Sequence, residues 1–276
     1  MPRVAHPIVN ELTSDLLAPG DQKSTALDPA TYVWTVIRSA DDPAFERAYS
    51  ALWAEFGAAD ELEARSVLAG RFADNGMIYE MLLVEKDSVF CAVRDHTAVW
   101  MEGEVVVHLS HVLVAPDHRR TGLAGWLRAA PILAGREIAL AHGVKEAEIT
   151  LVGEMEYDDG SDPKRAARLA AYERAGYVKL DPSAVQYFQP DFRSPAAIDA
   201  DAGSRPLPFQ LIVRRVGHEE ERTISGEGVQ HLVRALYAIY GAQFRTSEMQ
   251  HPLLSMERYP EGATPVALVP PSEPTI

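Results

Sequence analysis

Two arginines, a threonine and three small residues stand close together in VLVAPDHRRTGLAGWL, the stretch that begins at Val112. Arg119, Arg120, Thr121, Gly122, Leu123, Ala124 and Gly125 fall where an apolar strand gives way to a helical pattern. Amides at a helix start have no intrahelical acceptor, and with the helix dipole they favour an anion. Gly122 permits φ > 0 and close approach, Ala124 adds little bulk, and either guanidinium matches a phosphate oxygen. The chemistry these types and spacings suit is capture of a pyrophosphate. An ordinary surface turn with solvated arginines satisfies the same residues. Neither GxxxxGK[ST] nor GxGxxG occurs, so a P-loop and a Rossmann turn have no support.

The elements that position this turn follow from periodicity. TYVWTVIRSA reads as a strand, and DDPAFERAYSALWAEF as a helix with Asp42 as N-cap, Pro43 at the first position and Phe45, Tyr49, Leu52, Trp53 and Phe56 on one stripe. ADELEARSVLAGRF reads as a second helix. MIYEMLLV and SVFCAV, divided by EKDS, form a β-hairpin, and EVVVHLSHVLVAP is a longer strand. After Pro116 one helical register runs through Leu123, Trp126, Leu127, Ala130 and Leu133 to about His142, and KEAEITLVG returns to strand, which implies a right-handed parallel crossover. PKRAARLAAYERAG is a helix ending at Gly176, followed by YVKL in extended form.

The chain divides into an N-terminal tail or short docked helix (1–30), an α/β domain (31–190), a Pro-, Ala-, Asp- and Ser-rich linker (191–208) and a smaller α/β extension (209–276). In the extension FQLIVRRV is a strand, and GVQHLVRALYAIYGAQF an amphipathic helix with Val229, Leu232, Val233, Leu236 and Tyr240 on one stripe. That stripe must be buried, either over an acceptor cleft or in a homodimer contact.

The 276 residues are 47% hydrophobic, enough for a sizeable core, and the net charge of -14 argues against a nucleic-acid partner. Cys91 is the single cysteine, so no intramolecular disulfide or thiolate metal cluster forms, and its expected role is that of a small buried strand residue. No segment approaches the ~20 apolar residues of a membrane span, and no targeting pattern opens the sequence. The expected setting is cytoplasmic, with no membrane partner.

VLVAPDHRRTGLAGWL resembles the acyl-CoA-binding motif of the GNAT superfamily of N-acyltransferases, in which a strand ending in VxVxP runs into [RQ]xxGx[GA] and a helix. Leu127 falls where that family places an apolar helix residue, and LAAYERAGYVKL resembles the second motif, a YExxGF-like helix end before a strand. Arg120 stands where many members have glycine, and the asparagine common in the first turn of the second helix is missing near Lys164 and Arg165. The resemblance covers about residues 30 to 190. It implies a mixed, largely antiparallel sheet flanked by helices, in which strands four and five splay apart and acyl-CoA, acetyl-CoA foremost, is the acyl donor.

The resemblance further implies that the backbone of Val112, Leu113 and Val114 lines the pantetheine arm. It gives Tyr172 as the acid for the departing thiolate, and direct attack by a small-molecule or peptide amine, with no metal and no acyl-enzyme. An ammonium of pKa about 10.4 needs a base, and His108, eleven residues before Arg119, is the candidate, with Glu80 a second. His108 shares a strand face with Ser110, and His111 should face oppositely, which makes the two histidines a poor metal site. EMEYDDGSD brings Glu154, Glu156, Asp158, Asp159 and Asp162 beside the cofactor strand, as a cation-holding loop or a solvated one. The competing function is an acyl-CoA-binding sensor or scaffold without turnover; a third is a small-molecule binding domain that has lost CoA.

Overall fold

Two tight turns open the sheet. Asp87 and Ser88 take left-handed backbone (φ 52° and 64°), as do Glu102 and Gly103 (51° and 102°), the paired positive φ that matches the twist of hairpin strands. They make three antiparallel neighbours of residues 77–114. The computed structural model describes residues 8–73 and 75–274.

In chain order the strands are β1 (Val33–Ile37), β2 (Met77–Lys86), β3 (Val89–Met101), β4 (Glu104–Val114), β5 (Ile149–Met155), β6 (Val178–Leu180), β7 (Tyr187–Gln189), β8 (Leu207–Arg215), β9 (Thr223–Ser225) and β10 (Pro265–Val269). The helices are α1 (Pro19–Ser24), α2 (Pro43–Phe56), α3 (Arg65–Arg71), α4 (Leu123–Ala129), α5 (Pro131–Ala141), α6 (Pro163–Ala175), α7 (Pro195–Asp199), α8 (Gly226–Gly241) and α9 (Thr246–Ser255). The sheet runs β1-β2-β3-β4-β5-β8-β6-β10-β9, with β7 beside β8. Its pairings are antiparallel save β4 with β5, where the helical crossover dictates parallel strands. This is the mixed α/β, largely antiparallel architecture that the sequence leads one to expect.

One face carries α4, α5 and α6 over Val105, Val107 and Leu151; the other carries α2 over Met81 and Val93, and α8 over Val106 and Val213. Local chemistry sets the helix ends. Asp42 accepts from the Ala44 amide at 2.8 Å and Asp162 from Lys164 at 2.8 Å, while Gly176 closes α6 at φ 102°. Trp53, expected on the packed stripe of α2, is exposed and stacks on Tyr49. The single helix expected from Pro116 to His142 is two: Pro131 has no amide to donate and starts α5 afresh.

The ends of the chain are woven into this frame. Leu12, Leu16, Leu17 and Ala18, within the expected tail, are buried in the core, and Arg214 on β8 donates to the carbonyls of Leu16 and Leu17 at 2.7 and 3.2 Å. Residues 1–7 of that tail lie outside the described residues. The strand expected to open a separate extension, β8, is inserted between β5 and β6. The apolar stripe of α8 is buried against the chain's own sheet, so no second copy is needed to cover it. Among the described residues no helix is long and apolar enough to cross a membrane.

Candidate active site

β4 leads into the site. Val105–His108 pair with Ile149–Val152, and there the two strands part: β4 continues along β3 to Val114 while β5 continues along β8 to Met155. Among the described residues, the main chain from Leu109 to Val114 therefore has no strand paired on the β5 side. Antiparallel backbone groups alternate sides, and the Ala115 amide bonds the Cys91 carbonyl on β3. Val112 and Val114 thus turn their backbone groups into the gap, and Leu113, expected alongside them, turns its own to β3. Arg119 Nε already donates to the Val114 carbonyl at 3.0 Å.

A bulge shapes the fork. Arg94 faces Val112 and His96 faces Leu109, so Ser110 and His111 together oppose Asp95. The extra residue overturns the strict alternation expected of this strand: His108 and His111 both line one cavity, open to solvent, with Ser110, Glu63, Glu154 and Tyr172.

The two histidines meet different partners. His108 Nε2 lies 3.0 Å from Glu154 Oε2, and the Ser110 hydroxyl lies 3.3 Å from His108 Nδ1. A carboxylate only accepts, so Nε2 carries the proton of that contact. Glu154 also accepts from Gln189 Nε2 at 3.1 Å and from the Tyr240 hydroxyl. Burial acts to raise its pKa, and hydrogen bonds and charge from His108, with the hydroxyls of Tyr187 and Tyr240, bring it below the ordinary value. Burial and the Glu154 charge push the Tyr240 phenol well up, so it remains a donor.

His111 is held as a cation. Nδ1 donates to Asp95 Oδ1 at 3.0 Å and Nε2 to the Glu61 carbonyl at 2.9 Å, and its backbone amide donates to the same Asp95 oxygen at 2.8 Å. Burial opposes the charge, but Asp95, with Glu63 behind it, raises the imidazole to about 9. Asp95 in turn sits well below the usual carboxylate range: burial is outweighed by His111 and Arg71.

Tyr172 is buried on α6, its ring edge-on to Tyr177, with the Arg128 guanidinium 5.5 Å from the ring centroid. Asp21 from α1 clamps Arg128 with contacts of 2.6 and 2.9 Å. Before α4 the turn is sharp: Arg120 has φ 62° and Gly122 φ 100°, so an arginine occupies the left-handed conformation that glycine favours. The Thr121 hydroxyl bonds the His118 carbonyl at 2.8 Å. Among the described residues no hydrogen bond engages the amides of Thr121, Gly122 or Ala124, and Arg119 and Arg120 are exposed. These residues fit a diphosphate. The space that a Cβ at Gly122 would fill belongs to the chain itself, however: Thr25 Cγ2 is 2.8 Å away, and at Gly125 Thr25 and Asp21 are within 3.0–3.2 Å. The missing Cβ atoms admit the N-terminal segment, not a guest.

Of the other residues read from sequence, Glu156 lines the cavity and Asp158, Asp159 and Asp162 do not; the last three accept from nearby backbone amides in turns and the α6 cap. Glu80 lies outside the cavity, buried between Arg38 and His96. Cys91 is buried with its thiol pKa raised by burial, a packed strand residue. Sequence reasoning missed Glu63, Gln189, Phe192, Phe209 and Tyr240, which reach the cavity from residues remote in sequence from β4.

No protein-family model matches the chain, and no curated protein matches it. Solved structures similar to it include many GNAT acetyltransferases. A tandem GNAT protein from the clavulanic acid biosynthesis pathway is similar over 55% of this chain and 48% of that one, at 20% identity and a TM-score of 0.34. An acyl-CoA N-acyltransferase from Pseudomonas aeruginosa is similar over 66% of this chain and 99% of that one (17% identity, TM-score 0.38). N-acetylglutamate synthase from Neisseria gonorrhoeae, complexed with coenzyme A and N-acetyl-glutamate, is similar over 66% of this chain and 35% of that one (14% identity, TM-score 0.37). The chain spans less than half the length of the tandem protein and of the synthase.

Proposed function

We propose that the chain is an acyl-CoA-dependent N-acyltransferase, moving an acetyl or other short acyl group from acyl-CoA to a substrate amine by direct attack. The observation that carries this reading is the fork: β4 leaves β5 just beyond His108, and a histidine with a carboxylate on Nε2 and a hydroxyl on Nδ1 stands at the parting, beside a backbone edge with no strand neighbour among the described residues.

In this reading the amides and arginines from Arg119 to Gly125 hold the diphosphate, and the main chain of Val112 and Val114 lies along the pantetheine arm. Acyl-CoA supplies the activated thioester. His108 Nδ1 takes the proton from the ammonium, through the Ser110 hydroxyl or directly, and Glu154 stabilises the imidazolium that forms. The amine nitrogen bonds to the acyl carbon as the carbon–sulfur bond breaks, the Tyr172 hydroxyl gives a proton to the sulfur, and the second proton that the nitrogen sheds on becoming an amide restores the tyrosine, while His108 releases the first to water. An unpaired amide of β4 facing the gap is suited to the developing oxyanion.

The test is release of free CoA thiol from acetyl-CoA over a panel of amines, beside calorimetry with acetyl-CoA alone. Thiol released only with an amine, and mass detection of the acylated amine, support the transferase. Binding without release under any amine makes the chain an acyl-CoA sensor or scaffold, and absence of binding makes it a domain that has lost CoA.

A further inference from the structure

The walls of the cavity say which amine it suits. Four carboxylates line it, Glu61, Glu63, Glu154 and Glu156, against two cations, His111 and Arg168. Each cation is already committed: His111 to Asp95 at 3.0 Å and Arg168 to Glu156 at 2.9 Å. Glu63 has one oxygen on Arg71, and its buried Oε2 makes no hydrogen bond and stands 4.0 Å from His111 Nε2. Among the described residues no hydrogen bond or ion pair engages the Glu61 carboxylate. Partial burial and the nearby charge of Glu156 raise its pKa against the opposing charges of Arg168, His111 and Arg165. Besides Ser110, Gln189 and His108, much of the remaining wall is apolar: Phe56, Met155, Phe192, Phe209 and the ring of Tyr240.

Resting on the acyltransfer reading, we propose that the acceptor is a primary ammonium carried on an apolar, ring-sized body and lacking a carboxylate. The ammonium meets the Glu61 carboxylate and the unbonded oxygen of Glu63, whose other oxygen is held by Arg71. The body displaces water from the aromatic side, where each buried ring contributes through apolar contact. An amino-acid carboxylate would enter a chamber whose cations are taken, beside an unpaired Glu61, and like charges at such range oppose binding. A polyamine satisfies the carboxylates but leaves the aromatic wall unfilled.

Three probes separate these features: 2-phenylethylamine, L-phenylalanine, which adds a carboxylate to the same skeleton, and L-phenylalanine methyl ester, which masks it. Binding is followed by calorimetry in the presence of CoA, and turnover by thiol release from acetyl-CoA. The expected result is binding of 2-phenylethylamine at least 30-fold tighter than L-phenylalanine, with the ester recovering most of the difference, and about 1.4 kcal/mol corresponds to each tenfold. Glu61→Gln should weaken 2-phenylethylamine about fivefold and leave L-phenylalanine unchanged or improved. L-phenylalanine binding as well as the amine, spermidine binding better than both, or no binding by any probe overturns the proposal. Binding of 2-phenylethylamine in this order without thiol release leaves the ligand class standing and removes the acyl transfer on which its role as acceptor rests.

Discussion

The turn before α4 follows the end of β4 while the chamber opens beside the middle of that strand, and the two are built in opposite ways. Within seven residues of sequence the turn supplies its arginines and free amides, and only its packing on Thr25 and Asp21 is remote. The chamber takes Glu61 and Glu63 from before β2, His108 and His111 from β4, Glu154 from β5, Tyr172 from α6 and Tyr240 from α8. A contiguous turn can be recognised by type and spacing, whereas a chamber gathered from five such places holds its chemistry only once the sheet is closed. The two should therefore fail separately: damage to the chamber ends turnover with CoA still bound, and damage to the turn weakens CoA.

The sharpest break is His108→Ala. Loss of the proposed base should lower turnover by about 10²-fold or more while acetyl-CoA affinity stays within about twofold; a fall in affinity matching the fall in rate would merge the two regions. Tyr172→Phe should cost about tenfold in turnover, most of it recoverable with a better leaving thiol, and rate unaltered by this change removes the tyrosine from the proton path. On the other side, Gly122→Val places a side chain at φ 100° with its Cβ 2.8 Å from Thr25 Cγ2. It should weaken acetyl-CoA about tenfold and lower stability by about 1–3 kcal/mol, read by calorimetry and urea unfolding.

The ion pair of His111 and Asp95 gives a subtler separation. His111 rises from 6.5 to about 9 on folding, so its contribution is whole below about pH 6.5 and is lost as pH climbs through about 9. Asp95 is lowered from 3.8, so its contribution is present above that pH and falls away in acid. Urea unfolding between pH 6 and 10 should show stability declining by about 2–3 kcal/mol, and His111→Gln should flatten that decline. Parallel curves for the two proteins would deny His111 its charge. Smallest is Tyr240→Phe: removing the donor to Glu154 should cost about 1 kcal/mol and move the acid limb of the turnover profile. An unmoved limb would detach α8 from the base.

Much of the frame is legible in the residues. Asp42–Pro43 and Gly176 mark helix ends by capping chemistry that acts within one turn, and EKDS between two apolar runs leaves room for nothing but a hairpin. Register is less legible. One extra residue opposite Asp95 brings His111 into the same chamber as His108, and no residue type in LSHV announces that bulge. Tyr240 reads as one more apolar position on α8, because its ring is buried as the stripe requires; only the sheet order shows that its hydroxyl meets Glu154. The division at residue 190 follows composition, and composition carries no sign that β8 returns to the middle of the sheet.

That return governs how the molecule can be assembled. β5 has β4 on one side and, until residues 207–215 exist, a bare row of amides and carbonyls on the other. A nascent chain shorter than this therefore carries an open edge in its interior, prone to recruit another strand, and contacts of such long sequence separation form late. Excising everything after residue 190 to isolate a minimal catalytic piece would leave the same wound permanently, and the half-molecule so made should clump rather than work.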